Sequence, residues 1–167
     1  QELSYKAGEV QMAEVDLLTH YPKSKRNVDE RVQQVDETAR EISMQFGKEY
    51  FDGGRIYGYG GYNYHPRFWS QTVRHIKEYY ALADDAHLLD VGSAKGFMLH
   101  DFKDQWPDMT VAGIDISKYA YENSMQDIRP FLQIGNATEL PYEDDSFDIV
   151  ISINTVHNLQ EAECKQA

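Results

Sequence analysis

Three short stretches hold the residues best suited to chemistry, and each sits where an apolar run stops. The first is LLDVGSAKGF, Leu88 to Phe97. An acid, Asp90, stands near the end of its run. A turn follows through Gly92, Ser93, Ala94, Lys95 and Gly96, and a helix-like stretch begins. Glycine permits a tight turn and lets a ligand approach the backbone. A helix that starts there offers free N–H groups to an anion. The second is GIDIS, Gly113 to Ser117, with Asp115 at the end of the next run. A carboxylate about twenty residues past a glycine turn is placed to accept both hydroxyls of a ribose. The third is GNATELPYEDDSFDIVIS, Gly135 to Ser152, where Asn136 and Ala137 directly follow a third run. Asn136 at that edge can hydrogen-bond an adenine.

Two histidines are candidate general bases, because imidazole titrates near neutrality. His157 lies four residues beyond the fourth apolar run, and His65 follows a Tyr/Gly-rich loop. Each has a second reading as a packing residue. Lys95 reads as a solvated first-turn residue that can also reach an anionic group. The six histidines show no i, i+4 pair on one helix and Cys164 is the single cysteine, so no metal site is expected.

The elements that must position these residues follow from periodicity. Val28, Val32, Val35, Ala39, Ile42 and Phe46 form one stripe of a helix expected from Val28 to Tyr50. Asn27 is its expected cap, and Asp52-Gly53-Gly54 its stop. A second helix is expected from Pro66 to Leu82, with Pro66 in its first turn, and a short helix within residues 1–20. From His87 the rhythm changes. Strands are expected at His87–Val91, Thr110–Ile114, Phe131–Ile134 and Phe147–Ile153. Helices are expected at Lys95–Trp106 and from Ser117, as cap, to about Asp127. Strands alternating with helices over short links are the pattern of parallel βαβ units, an α/β fold. Near-continuous apolar strands fit a sheet covered on both faces.

The bulk composition narrows the function. The chain has 167 residues, 41% hydrophobic and 26% charged, with a formal net charge of −12. Most of such a surface repels a polyanion. PKSKR, Pro22 to Arg26, is the one basic stretch, and it reads as a solvated loop; no nucleic-acid partner is expected. No run approaches the roughly 18 apolar residues of a membrane span, so no membrane partner is expected. The N-terminal stretch lacks the layout of a signal peptide. A lone cysteine fits a reducing compartment, and a cytoplasmic location is expected.

The ordered motifs resemble those of class I S-adenosylmethionine-dependent methyltransferases, with the flavour of the ubiquinone and menaquinone methylases. The resemblance spans about Leu88 to Leu159 and includes ISINTVHNL after the fourth strand. It implies a Rossmann-like core, S-adenosylmethionine as cofactor with S-adenosylhomocysteine as product, and methyl transfer to a small-molecule O, N or C nucleophile. By position it implies that Asp90, Gly92, Ser93, Ala94 and Gly96 shape the methionine side of the site. Asp115 would hold the ribose, Ile116 would pack on adenine, and Asn136 and Ala137 would sit at the adenine edge. Asn154 would begin the loop facing the methyl group.

Three departures stand out. Ala94 replaces the usual glycine, Asn136 replaces a frequent aspartate, and the sequence reaches Ala167 soon after strand four of an expected seven. A fragment, or a sheet completed by a partner chain, is the expectation, with an unpaired edge at strand four that invites a homo-oligomer. The expected organisation is therefore a helical extension, residues 1–83, and an incomplete cofactor-binding domain, residues 84–167.

The loop RIYGYGGYNYHPRFW, Arg55 to Trp69, falls in the extension. As a lid, Gly58, Gly60 and Gly61 would let it move, and Tyr59 and Tyr62 would touch the cofactor, enclosing its sulfonium by cation–π attraction. As a mini-core, it would instead fix the N-terminal helices to the sheet. Two other functions remain beside methyl transfer. One is a non-catalytic cofactor-binding scaffold or inactive fragment. The other is an NAD-dependent oxidoreductase, which the turn G-S-A-K-G fits less well than G-x-G-x-x-G.

Overall fold

The computed structural model describes residues 14–23 and 36–166. The expected cap Asn27, the helix stretch 28–35, residues 24–26 of the basic stretch and residues 1–13 of the short first helix lie outside those residues. Leu17–His20 form turns rather than a helix.

Four strands make one parallel sheet: β1 (His87–Val91), β2 (Thr110–Asp115), β3 (Leu132–Ile134) and β4 (Ile149–Ile151). Their order is β3-β2-β1-β4. The central strand β1 sets Asp90 opposite Gly113 of β2 and Ile151 of β4. Asp115 in turn faces Ile134 of β3. This register brings the ends of β1, β2 and β3 to one edge, where the motif residues sit.

Alternation along β1 separates two apolar layers. Leu88 faces one side with Val111 and Leu132, packed under α3 (Pro66–Tyr80) and α4 (Phe97–Gln105) through Trp69, Val73, Ile76, Leu99 and Phe102. Leu89, Val91 and Ile114 face the other, where Ala137, Tyr142 and Phe147 cover them. Among the described residues this second face carries a loop rather than helices. β4 lies at the sheet edge, and Val150 is 56% exposed there. A groove beside it runs along Leu17, Leu18, Ile76 and Tyr80. No helix among the described residues is long and apolar enough to cross a membrane.

Helix limits differ from the periodic pattern for local reasons. The helix expected through Tyr50 is broken into α1 (Glu37–Ser43) and α2 (Lys48–Asp52). Phe46, between them, takes φ 47°, and its carbonyl accepts the Ser117 hydroxyl at 2.5 Å. A long-range hydrogen bond thus stabilises a left-handed residue that the stripe treats as helical. α1 within the described residues is capped by Asp36, which accepts Ala39 N.

The expected first-turn proline and the cap Ser117 are both found. The helix after Ser117, α5 (Lys118–Glu122), is shorter than expected. The Arg129 guanidinium reaches back to the carbonyls of Glu122 and Ser124, satisfying the helix end early. Strand four is three residues rather than seven, and Asn154 beyond it adopts φ 58°.

Candidate active site

The turn after β1 is built on three left-handed residues, Gly92 (φ 86°), Ala94 (φ 49°) and Gly96 (φ 77°). Gly92 N and Ser93 N both donate to Ile114 O, which folds the turn across the end of β2. A Cβ on Gly92 would run into the Thr155 hydroxyl, so only glycine lets the loop after β4 close over the turn. At Gly96 a Cβ would press on Ile128 and Leu132. That glycine serves helix-to-sheet packing.

Asp115 stands at the centre. Its Oδ2 accepts Ala94 N at 2.8 Å and its Oδ1 accepts Ser117 N at 2.8 Å. Burial pushes its carboxyl above the ordinary range, and these two hydrogen bonds only partly offset that. Each oxygen retains a second lone pair for a ligand hydroxyl. Asp90 is 5% exposed, and burial together with the charge of Asp115 pushes its carboxyl up to about 8.

Two adjoining cavities open at this edge. The first is lined by Asp115, Ile116, Asn136 and Ala137, with Thr155 closing one wall. The second is lined by Asp90, Ser93 and Tyr62. Gly92, Ala94, Asn154 and Tyr59 belong to both. The structure therefore brings together every sequence-selected cofactor residue except Gly96, which lines neither cavity. The Asn136 side-chain carbonyl accepts Thr138 N at 3.1 Å, which leaves its second lone pair and the side-chain NH2 for a ligand. A donor there suits a ring nitrogen.

The Tyr/Gly loop is a packed aromatic cluster. Tyr59 stacks on Phe51 at 5.8 Å and 17°, Tyr62 lies 4.3 Å from Tyr59, and Tyr62 stacks on Phe97 at 4.9 Å and 28°. Backbone hydrogen bonds from Tyr59 N to Tyr50 O and from Gly61 N to Phe51 O pin the loop. Burial raises the pKa of both phenols, Tyr59 and Tyr62, so both stay protonated at neutral pH.

Lys95 corrects the sequence reading. It is 4% exposed, not solvated. Its ammonium lies 3.0 and 2.8 Å from the two oxygens of Asp52 and 2.8 Å from Tyr62 O. Tyr119 OH and Tyr62 N complete the shell of Asp52 at 2.8 and 2.9 Å. Burial alone would raise the Asp52 carboxyl, but its hydrogen bonds outweigh it and hold the group below its ordinary value. Lys95 thus ties the glycine turn to α2 and to the aromatic loop. Its charge is already compensated, which removes it as the partner of a cofactor carboxylate.

His65 caps α3, with Nδ1 accepting Arg67 N at 3.2 Å. His65 also lines a third cavity. His157 sits in a single 3-10 turn, Val156–Asn158, exposed and outside all three cavities. Sequence reasoning missed Thr155, Phe51 and Asp52. Thr155, beside the chosen Asn154, was within reach of the motif argument, whereas the other two carry no local signal.

Residues 89–166 match a protein-family model described as a methyltransferase domain. Among solved structures, a candidate S-adenosylmethionine-dependent methyltransferase of Methanococcus maripaludis is 21% identical, with TM-score 0.51, covering 59% of this chain and 48% of that one. A candidate methyltransferase of an antibiotic-biosynthesis pathway from Anabaena variabilis is 23% identical, with TM-score 0.48 and coverages of 56% and 37%. A phosphoethanolamine N-methyltransferase of Haemonchus contortus, solved with phosphomonomethylethanolamine and S-adenosylhomocysteine, is 19% identical, with TM-score 0.48 and coverages of 72% and 28%. The chain spans about half the length of the first of these structures. No curated protein matches it. The Methanococcus likeness agrees with the parallel sheet, and the family match covers the strand ends where the cavities open. Residues 89–166 are thus similar to a methyltransferase domain, on a parallel sheet that the Methanococcus structure shares.

Proposed function

We propose that the chain binds S-adenosylmethionine across the ends of β1, β2 and β3 and transfers its methyl group to a small-molecule O, N or C nucleophile. The observation that carries this reading is Asp115, held by Ala94 N and Ser117 N at the wall of a cavity, with acceptor capacity left for two ribose hydroxyls. Ile116, 58% exposed, offers an apolar surface for adenine, and the Asn136 amide a donor to its ring. Asp90, Gly92, Ser93 and Ala94 would surround the methionine portion, with Tyr59, Tyr62 and Asn154 toward the sulfonium.

The bound cofactor supplies an electrophilic methyl on sulfur. An acceptor's lone pair would form the new bond to that carbon, and the pair of the broken carbon–sulfur bond would stay on sulfur, giving the thioether of S-adenosylhomocysteine. The chain's part is to align the three atoms and exclude water. An acceptor that needs deprotonation would give its proton to solvent, because His65 lines neither of the two cavities that Asp115 and Asp90 line. His157 would need the loop after β4 to move to serve as a base.

The test is calorimetric titration with S-adenosylhomocysteine and with NAD. S-adenosylhomocysteine should bind, NAD should not, and Asp115→Asn should weaken the first by about tenfold, the size expected for losing a charge-assisted hydrogen bond. Binding without turnover on any acceptor would favour the scaffold reading, and equal binding of NAD would reject the assignment.

A further inference from the structure

The third cavity shares Tyr59 and Asn154 with both cavities of the proposed cofactor site, and Tyr62 and Trp69 with the second of them. Its body is aromatic, with Tyr62, Phe68, Trp69 and Phe97 in its walls. Its rim carries Lys23, Arg55 and His65 against a single carboxylate among the described residues, Asp16. The whole chain has 28 acidic residues and 16 Lys and Arg. A rim where cations outnumber acids therefore runs against the charge of the molecule.

Neither Lys23 nor Arg55 has an ion-pair partner among the described residues. Asp16 is partly used, since its Oδ1 accepts Leu18 N at 3.0 Å. The Arg55 stem lies against Gly60, where any Cβ would collide with it; the glycine at φ 70° gives the arginine its seat. His65 has its Nδ1 engaged and so adds an N–H donor to the same rim.

We propose that this cavity is the acceptor site, and that the acceptor is a small molecule with an anionic group, carboxylate or phosphate, on an apolar or aromatic ring. Arg55, with Lys23 and His65 beside it, holds the anion at the rim. The ring lies on the aromatic wall, and the nucleophile points past Tyr59 and Asn154 toward the methyl group. Arg suits this task because its planar fork donates two parallel hydrogen bonds to either anion. The inference rests on the methyltransferase reading, because it takes the neighbouring cavity as the cofactor site.

The test is titration of the full chain with three probes, 4-hydroxybenzoate, phenyl phosphate and the neutral 4-hydroxybenzamide, with and without saturating S-adenosylhomocysteine. At least one anion should bind about fivefold or more tighter than the amide, and Arg55→Gln should weaken that anion by about three- to tenfold. Lys23→Gln should act in the same direction, more weakly, and added salt should narrow the gap. Neither variant should alter S-adenosylhomocysteine affinity, which also reports that the chain is folded. The order of the two anions tells carboxylate from phosphate. Equal binding of all three probes, including no measurable binding of any, overturns the proposal, as does an Arg55→Gln chain that keeps its anion affinity. Loss of S-adenosylhomocysteine binding alone would count against the cofactor reading, while the titrations without it still judge this one.

Discussion

Deleting either side of the Lys95–Asp52 pair removes the same ion pair, yet the two deletions should differ in cost. The side chains are 5% and 24% exposed, respectively. In Lys95→Met, the Asp52 carboxylate keeps Tyr62 N at 2.9 Å and Tyr119 OH at 2.8 Å, and water can reach it. The loss should be about 1–2 kcal/mol, near that of one charge-assisted hydrogen bond. In Asp52→Ala, a buried ammonium is left with Tyr62 O at 2.8 Å and no counter-charge among the described residues. Breaking a buried pair in that direction costs about 3–4 kcal/mol. For a chain of this size each kcal/mol lowers Tm by about 2–4 °C, so Asp52→Ala should melt about 6–16 °C below the parent.

The double variant, with no stranded charge, should be more stable than Asp52→Ala alone. Thermal unfolding by circular dichroism, checked by urea denaturation, measures all four chains. The pH dependence supplies a second readout. Asp52 is depressed in the folded chain, so its contribution is present above the ordinary aspartate range and is lost as pH falls through the lowered value. The gap between the parent and Lys95→Met should therefore narrow in acid. A Lys95→Met loss equal to or larger than that of Asp52→Ala, or strictly additive losses in the double variant, would refute the reasoning.

Two further outcomes follow from the same edge. Asp90 has its pKa raised to about 8 by burial and then by Asp115, so its ionisation should make the empty chain less stable as pH rises from about 4 to about 8. Asp90→Asn should match the parent near pH 4 and exceed it near about pH 9 in chemical denaturation; parallel curves would sink the assignment. Gly92→Ala forces a left-handed alanine into Thr155, which should cost about 1–3 kcal/mol and weaken S-adenosylhomocysteine binding. Pairing it with Thr155→Gly should recover part of that loss, and no recovery would show that Thr155 is not the obstacle.

The strand ends were legible because their signals are local. An apolar run, an acid and a glycine turn lie within ten residues at Leu88–Phe97, and the βαβ rhythm places such turns on one edge whatever packs around them. Asp115 and Asn136 could be named from the same rule and Asn154 from the family resemblance, and the structure lines one cavity with all three. Periodicity likewise located α3 and its first-turn proline. The aromatic loop was legible as two alternatives, and its packing depends on rings far apart in sequence, such as Tyr62 and Phe97.

Where the reading was incomplete, the deciding partner lay far along the chain. Lys95 looks like any first-turn lysine until Asp52, 43 residues earlier, is folded beside it. Phe46 fits a helical stripe until Ser117, 71 residues later, takes its carbonyl. Asn136 keeps its expected place, but the orientation of its amide depends on a turn that ends at Thr138. The sequence by itself determined the parallel α/β core, the edge that carries the site and the residue types at the strand ends, because periodicity and turn chemistry act over a few neighbours. The tertiary structure alone decided which charges are already compensated, which glycine faces a cavity and which only packs, and that Lys23 and Arg55, without an ion-pair partner among the described residues, line an aromatic hollow, because those depend on burial and on contacts between distant segments.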